Sequence, residues 1–154
     1  MLTLSDTCNA LSYVQDEVDP NGEQDPYTMF CILPRGPIAK SQVALNGGKH
    51  PIWNSSPFSL NVKDANLDIM HVSVLDCGEE DNTEDTLVGD LSVSVYSLLA
   101  VLKQSNTSCK TWTEDWYPLF TRDSKRRLCG EIRLEYRFVS DEVLIARKEI
   151  KVPY

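Results

Sequence analysis

Two short stretches of this chain concentrate the side chains best suited to gripping a hard cation. Asp16, Glu17, Asp19, Glu23 and Asp25 form one, and Asp76, Glu79, Glu80, Asp81, Glu84 and Asp85 form the other. Together they hold 11 of the 23 acidic residues, and neither stretch contains a Lys or Arg. Carboxylates about 4 Å apart at an effective dielectric near 20 repel by roughly 4 kcal/mol per pair, so acids brought together call for a divalent ion. Calcium accepts many oxygens in flexible geometry and suits loop-borne Asp better than octahedral magnesium. No EF-hand loop, with Asp at alternate positions and a closing Glu, is present.

Other chemistries leave no mark. No Ser or Cys stands in a local signature with His and a carboxylate, and no glycine-rich phosphate loop exists, so neither catalysis nor a small-molecule substrate is expected. Cys77, inside the second acidic stretch, is expected to have a raised pKa and to be a poor nucleophile. His50 and His71 are isolated. Trp53, Trp112 and Trp116 read as core or rim packing.

The elements that must hold these acids read as strands. Phe58, Leu60 and Val62 alternate with polar residues, as do Leu91, Val93 and Val95, and Ile132, Leu134, Tyr136 and Phe138. Such a period of two describes half-buried strands with one face on a core. Leu2–Leu11, Tyr27–Leu33, Lys40–Leu45, Leu67–Leu75 and Thr111–Phe120 are further candidates. In Leu67–Leu75 the phase slips between Ile69 and Met70, which suggests a bulge. Only Tyr96–Lys103 reads as a helix. Turn clusters such as Asp19-Pro-Asn-Gly22, Pro34-Arg-Gly-Pro37 and Asn46-Gly-Gly48 separate the runs. Eight short strands at this spacing predict an all-β, eight-stranded antiparallel β-sandwich. If every strand reverses direction, the first, third, fifth and seventh connections share one end, which gathers both acidic stretches there.

Composition is consistent with this reading. A chain of 154 residues suits one domain. Its formal net charge of −8 opposes general nucleic-acid binding, which relies on clustered Lys and Arg. No apolar run reaches the roughly 20 residues of a membrane span, and Met1–Val18 do not read as a signal peptide. The 5 cysteines are odd in number and show no C-x-x-C pair, which favours a reducing, cytoplasmic setting.

At this level the chain resembles the C2 domain, a calcium- and phospholipid-binding β-sandwich. The resemblance is carried by Asp19-Pro-Asn-Gly-Glu-Gln-Asp25-Pro-Tyr27, by Lys49-His-Pro-Ile-Trp53-Asn54, by Val74-Leu-Asp76 with Asp85-Thr-Leu-Val-Gly89-Asp90, and by Trp116-Tyr-Pro-Leu119 ahead of Gly130-Glu-Ile-Arg-Leu134. It spans about residues 2–138 and implies the type II strand topology, with residues 1–138 as the domain and 139–154 as an extension, docked or linking. It also implies Ca2+ as the bound ion, held by Asp19 and Asp25 from the first acidic loop and by Asp76 from the second. The family expects an aspartate two residues after Asp76, where this chain has Gly78. A further one is expected near residue 84, and Asp85 is the nearest match. Asp81 is the candidate to replace the missing carboxylate. This set suits one calcium ion and leaves a second short of charge.

The resemblance further implies docking to an anionic phospholipid membrane from the cytoplasm. The tip of the second acidic loop offers no apolar side chain, and Tyr13 and Val18 are the only candidates near the first. Arg122, Lys125, Arg126 and Arg127, in the seventh connection, form a candidate lipid-facing rim beside the acidic loops, each basic group being worth about 1 kcal/mol near an anionic surface. The rival reading is a calcium-independent module with a degraded metal site and a protein partner, favoured by Gly78, the polar loop tip and the negative charge.

Overall fold

The computed structural model describes residues 2–6, 24–34, 36–53, 58–78, 84–104 and 112–138. Among them run eight strands and one helix: β1 (Leu2–Asp6), β2 (Pro26–Leu33), β3 (Ala39–Lys40), β4 (Phe58–Leu60), β5 (Ile69–Asp76), β6 (Thr86–Ser94), α1 (Val95–Gln104), β7 (Thr113–Phe120) and β8 (Leu128–Phe138). They are hydrogen-bonded in the order β3-β2-β5-β6-β7-β8-β1-β4, every pairing antiparallel. Between β6 and β7 the pairing is the single pair Asp90↔Phe120, so the ladder falls into two four-stranded halves, the layers of an all-β sandwich.

Alternation dictates the core. Ile132, Leu134, Tyr136 and Phe138 of β8 are fully buried, as are Met70, Val72 and Val74 of β5. Phe30, Ile32, Leu60, Leu91 and Leu119 meet them from neighbouring strands. Trp53 is buried as the sequence suggests, with its indole N–H donating to the Pro26 carbonyl at 2.7 Å. A buried indole needs such an acceptor. Trp112 and Trp116 lie at the rim, partly exposed.

The phase slip has a definite cause. Leu67 and Ile69 face outward, 75% and 38% exposed, because β5 begins only at Ile69 and buries its even positions. The irregularity lies at the other end of the strand: Val74 pairs with Gly89 and Leu75 with Leu87, leaving Val88 of β6 as the extra residue of a bulge. A second shift, between Leu119 and Phe120, makes Cys129 of β8 the extra residue. The two irregularities touch, since a Cβ on Gly89 would collide with the Cys129 sulfur.

The helix forms where expected. Val95, Leu98, Leu99 and Leu102 give it one buried stripe. Ser94 caps it, its Oγ accepting the Ser97 N–H at 3.0 Å. The run Lys40–Leu45, in contrast, is strand only at Ala39–Lys40. Beyond it the chain stays beside β2 through Ser41 N–H to Thr28 O and Ala44 N–H to Pro26 O, both 2.9 Å. It then turns at Asn46 and Gly48, both with φ of 53°. Residues 7–11 of the first expected strand and residue 111 before β7 lie outside the described residues.

Candidate functional site

Register brings the acids together. Pro26 pairs with Asp76 and Asp76 with Thr86, so the loop ends of β2, β5 and β6 lie abreast and present Asp25, Asp76 and Asp85 at one edge. Neighbouring strands are about 4.8 Å apart, which sets the spacing of such a row. The Asp25 N–H donates to Asp76 Oδ1 at 2.8 Å, and the Cys77 N–H returns to the Asp25 carbonyl at 3.1 Å. The third connection is pinned to the same place: the Asn46 N–H donates to Asp25 Oδ1 at 2.5 Å and the Gly48 N–H to the Gln24 carbonyl at 2.9 Å. The described parts of the first, third and fifth connections therefore do meet at one end.

Asp85 is the most heavily engaged of the three. Its Oδ2 accepts the Tyr27 hydroxyl at 2.6 Å and its Oδ1 accepts the Gly78 N–H at 3.2 Å. These two bonds, the tyrosine's first, hold its carboxyl below the usual aspartate range. Burial, and then the Asp85 carboxylate, push Tyr27 up to about 12. Cys77 is raised as well, by desolvation first and by Asp85, Asp25 and Asp76 after it, as its place in the acidic loop leads one to expect. The Lys40 ammonium sits 5.4 Å from the centre of the Tyr27 ring.

The described residues do not by themselves make a calcium cage. Asp25, Asp76 and Asp85 each give at least one oxygen to a protein donor. Among the described residues no three His, Cys, Asp or Glu side chains are grouped to hold a metal ion. Asp19 and Asp81, two of the five expected ligands, lie outside the described residues.

The basic seventh connection is a self-contained turn. Asp123 organises it, accepting the Thr121 hydroxyl at 2.9 Å, the Lys125 N–H at 3.1 Å and the Arg126 N–H at 2.8 Å. Arg127 pairs with Asp123 at 2.9 Å, and the Arg126 guanidinium lies 5.3 Å from the centre of the Phe120 ring. The threonine bond, followed by the arginine, holds Asp123 below its ordinary range. Arg122 folds back along the sheet to Asp90 at 2.8 Å and to within 3.4 Å of His71 Nε2. His71 lies five residues from Asp76 on β5, so Arg122 is directed away from the acids. Of the four basic residues, Lys125 is the one whose side chain has no partner among the described residues.

Sequence reasoning missed two features of this end. One is the Lys40–Tyr27–Asp85 contact, which links the adjacent strands β3 and β2 to the loop residue just before β6. The other is apolar: Leu45 and Ile52, on the third connection, are 75% and 57% exposed beside the pinned Asn46–Gly48 turn. A leucine immediately before Asn-Gly-Gly was the available signal. No helix among the described residues is long and apolar enough to cross a membrane.

Comparison with curated protein sequences finds no match. Solved structures share the fold at low identity. A C2 domain of plant Extended Synaptotagmin 1 aligns with a TM-score of 0.61 and 17% identity, over 90% of this chain and 95% of that one. A structure of CC2D1B aligns with a TM-score of 0.62 and 15% identity, over 94% of this chain and 59% of that one. Human GIVD cytosolic phospholipase A2 aligns with a TM-score of 0.59 and 19% identity over 88% of this chain, which corresponds to only 16% of the enzyme chain. The C2 domain family model matches residues 8–119, and the matched region is a C2 domain, not a catalytic one. By that match, which covers well over half its length, the chain belongs to the C2 domain family.

Proposed function

We propose that this domain is a docking module that works without calcium and binds a protein partner. The observation that carries this reading is the use already made of the acidic oxygens. Both oxygens of Asp85, and one each of Asp25 and Asp76, accept hydrogen bonds from the protein itself. Gly78, where the family pattern has an aspartate, contributes a main-chain donor to this network in place of a carboxylate. The exposed Leu45 and Ile52 give the same end an apolar surface, the kind that marks interaction sites when it stands among polar groups. The strand order supports the type II topology, and residues 1–138 are the proposed domain, with 139–154 an extension and a cytoplasmic setting for the whole.

The test is calcium titration by calorimetry with thermal melts in calcium and in chelator. We expect no heat and an unchanged melting temperature up to millimolar calcium. A ligand of the native state stabilises by mass action, about 2.7 kcal/mol at a hundred times its Kd, so a clear rise in melting temperature would overturn the reading.

A second reading, calcium-dependent docking to anionic phospholipid, is favoured by one observation: the strand register sets Asp25, Asp76 and Asp85 side by side. On that reading Asp19 and Asp81 complete the Ca2+ ligands, and Arg122, Lys125, Arg126 and Arg127 form the lipid-facing rim. Binding to anionic vesicles that needs calcium, and that charge reversal of the four basic residues abolishes, would establish it.

A further inference from the structure

We propose that Lys40 is the built-in counter-cation of the acidic end, a tethered ammonium that does part of the work of a bound divalent ion. This deepens the calcium-independent reading and rests on it. The two acidic stretches contain no Lys or Arg, so any protein cation that balances them must come from another element. Lys40 comes from β3, whose pairing with Met29 places it beside β2 two residues from Tyr27. Its Nζ stands 5.4 Å from the centre of the Tyr27 ring, within the range where a cation is drawn to the electron-rich face. The same ring's hydroxyl donates to Asp85 Oδ2 at 2.6 Å.

Cation, ring and carboxylate therefore form one chain of interactions. A positive charge over the ring withdraws electron density from it and makes the phenol a stronger hydrogen-bond donor. The carboxylate at the hydroxyl end is the group that gains. Tyr27 is itself buried, so the ring cannot swing away and break the link. A divalent ion arriving at Asp85 meets a carboxylate already compensated from two sides, by the tyrosine and by the Gly78 N–H. Ion dependence would thus be set from the neighbouring strand, outside the loops where ligands are usually sought.

The experiment compares the wild-type protein with Lys40→Met, which keeps an apolar side chain but removes the charge, and Lys40→Arg, which keeps the charge. Melting temperatures are measured in chelator, in millimolar CaCl2, and in NaCl of matched ionic strength. We expect Lys40→Met to melt about 2 °C below wild type in chelator. Calcium should recover the loss and matched NaCl should recover less, while Lys40→Arg follows wild type throughout. Equal melting of Lys40→Met and wild type in chelator would overturn the proposal. So would a deficit that calcium leaves in place, or one that NaCl repairs equally well. A rise of the wild-type melting temperature in calcium would instead defeat the calcium-independent reading, and the chelator comparison would still decide the role of Lys40.

Discussion

Tyr27 and Asp85 form a pair whose two pKa shifts act on opposite limbs of the stability curve. Asp85 is held low in the folded protein, so its contribution is present above the ordinary aspartate value and fades as the pH falls through the folded one. Tyr27 is held high, so its contribution is complete below pH 10.0 and is lost as the pH rises toward about 12. Tyr27→Phe removes the bond, and we expect a loss of about 1 kcal/mol in urea unfolding at pH 7. Melts of this variant should also respond less to pH on the acid side, because Asp85 returns toward its ordinary value. At this scale the sequence was half legible. Asp25 and Asp76 stand out because each adjoins a strand run, Pro26-Tyr27 after the one and Val74-Leu75 before the other. The Tyr27–Asp85 bond links residues 58 positions apart and depends on the register of β2, β5 and β6, which no local pattern encodes.

Among the elements, the seam between β6 and β7 is the thinnest join in the ladder. One pair of residues spans it, whereas β5 with β6, and β7 with β8, pair along eight positions each. The Arg122–Asp90 ion pair crosses the same seam. Regions with few paired backbone groups open first, so we expect amide exchange at Asp90 and Phe120 to be faster than along β5. Asp90→Ala should accelerate it further while costing less than about 1 kcal/mol overall, since an ion pair with an exposed arginine contributes little. The strands themselves were readable because alternation and burial coincide, most clearly at Ile132, Leu134, Tyr136 and Phe138. The bulge expected in Leu67–Leu75 does fall opposite that run, at Val74/Leu75, with its extra residue on the facing strand. The slip at Ile69–Met70 marks the start of β5, while the extra residue, Val88, belongs to β6, where nothing in the run Thr86–Gly89 distinguishes it. The strand expected over Lys40–Leu45 is cut short to Ala39–Lys40, because side-chain alternation persists in the sequence after the ladder ends at Lys40.

For the whole molecule, the net charge of −8 governs encounters at long range. With chelator present we expect binding to anionic vesicles to be weak at low salt and to rise slightly as salt screens the repulsion, the reverse of a polybasic domain. Co-sedimentation across a salt series reads the sign directly. The pairing of Leu2 with Phe138 across β1 and β8 carries a consequence of a different kind. Directly opposed residues on antiparallel strands lie only about 5 Å apart, so the first and last of the described strands bring residues 2 and 138 to nearly the same point. If residues 1–138 are the domain, as proposed, we expect it to be accepted as a cassette in a surface loop of an unrelated host. The host need part its own backbone by little more than the width of one strand.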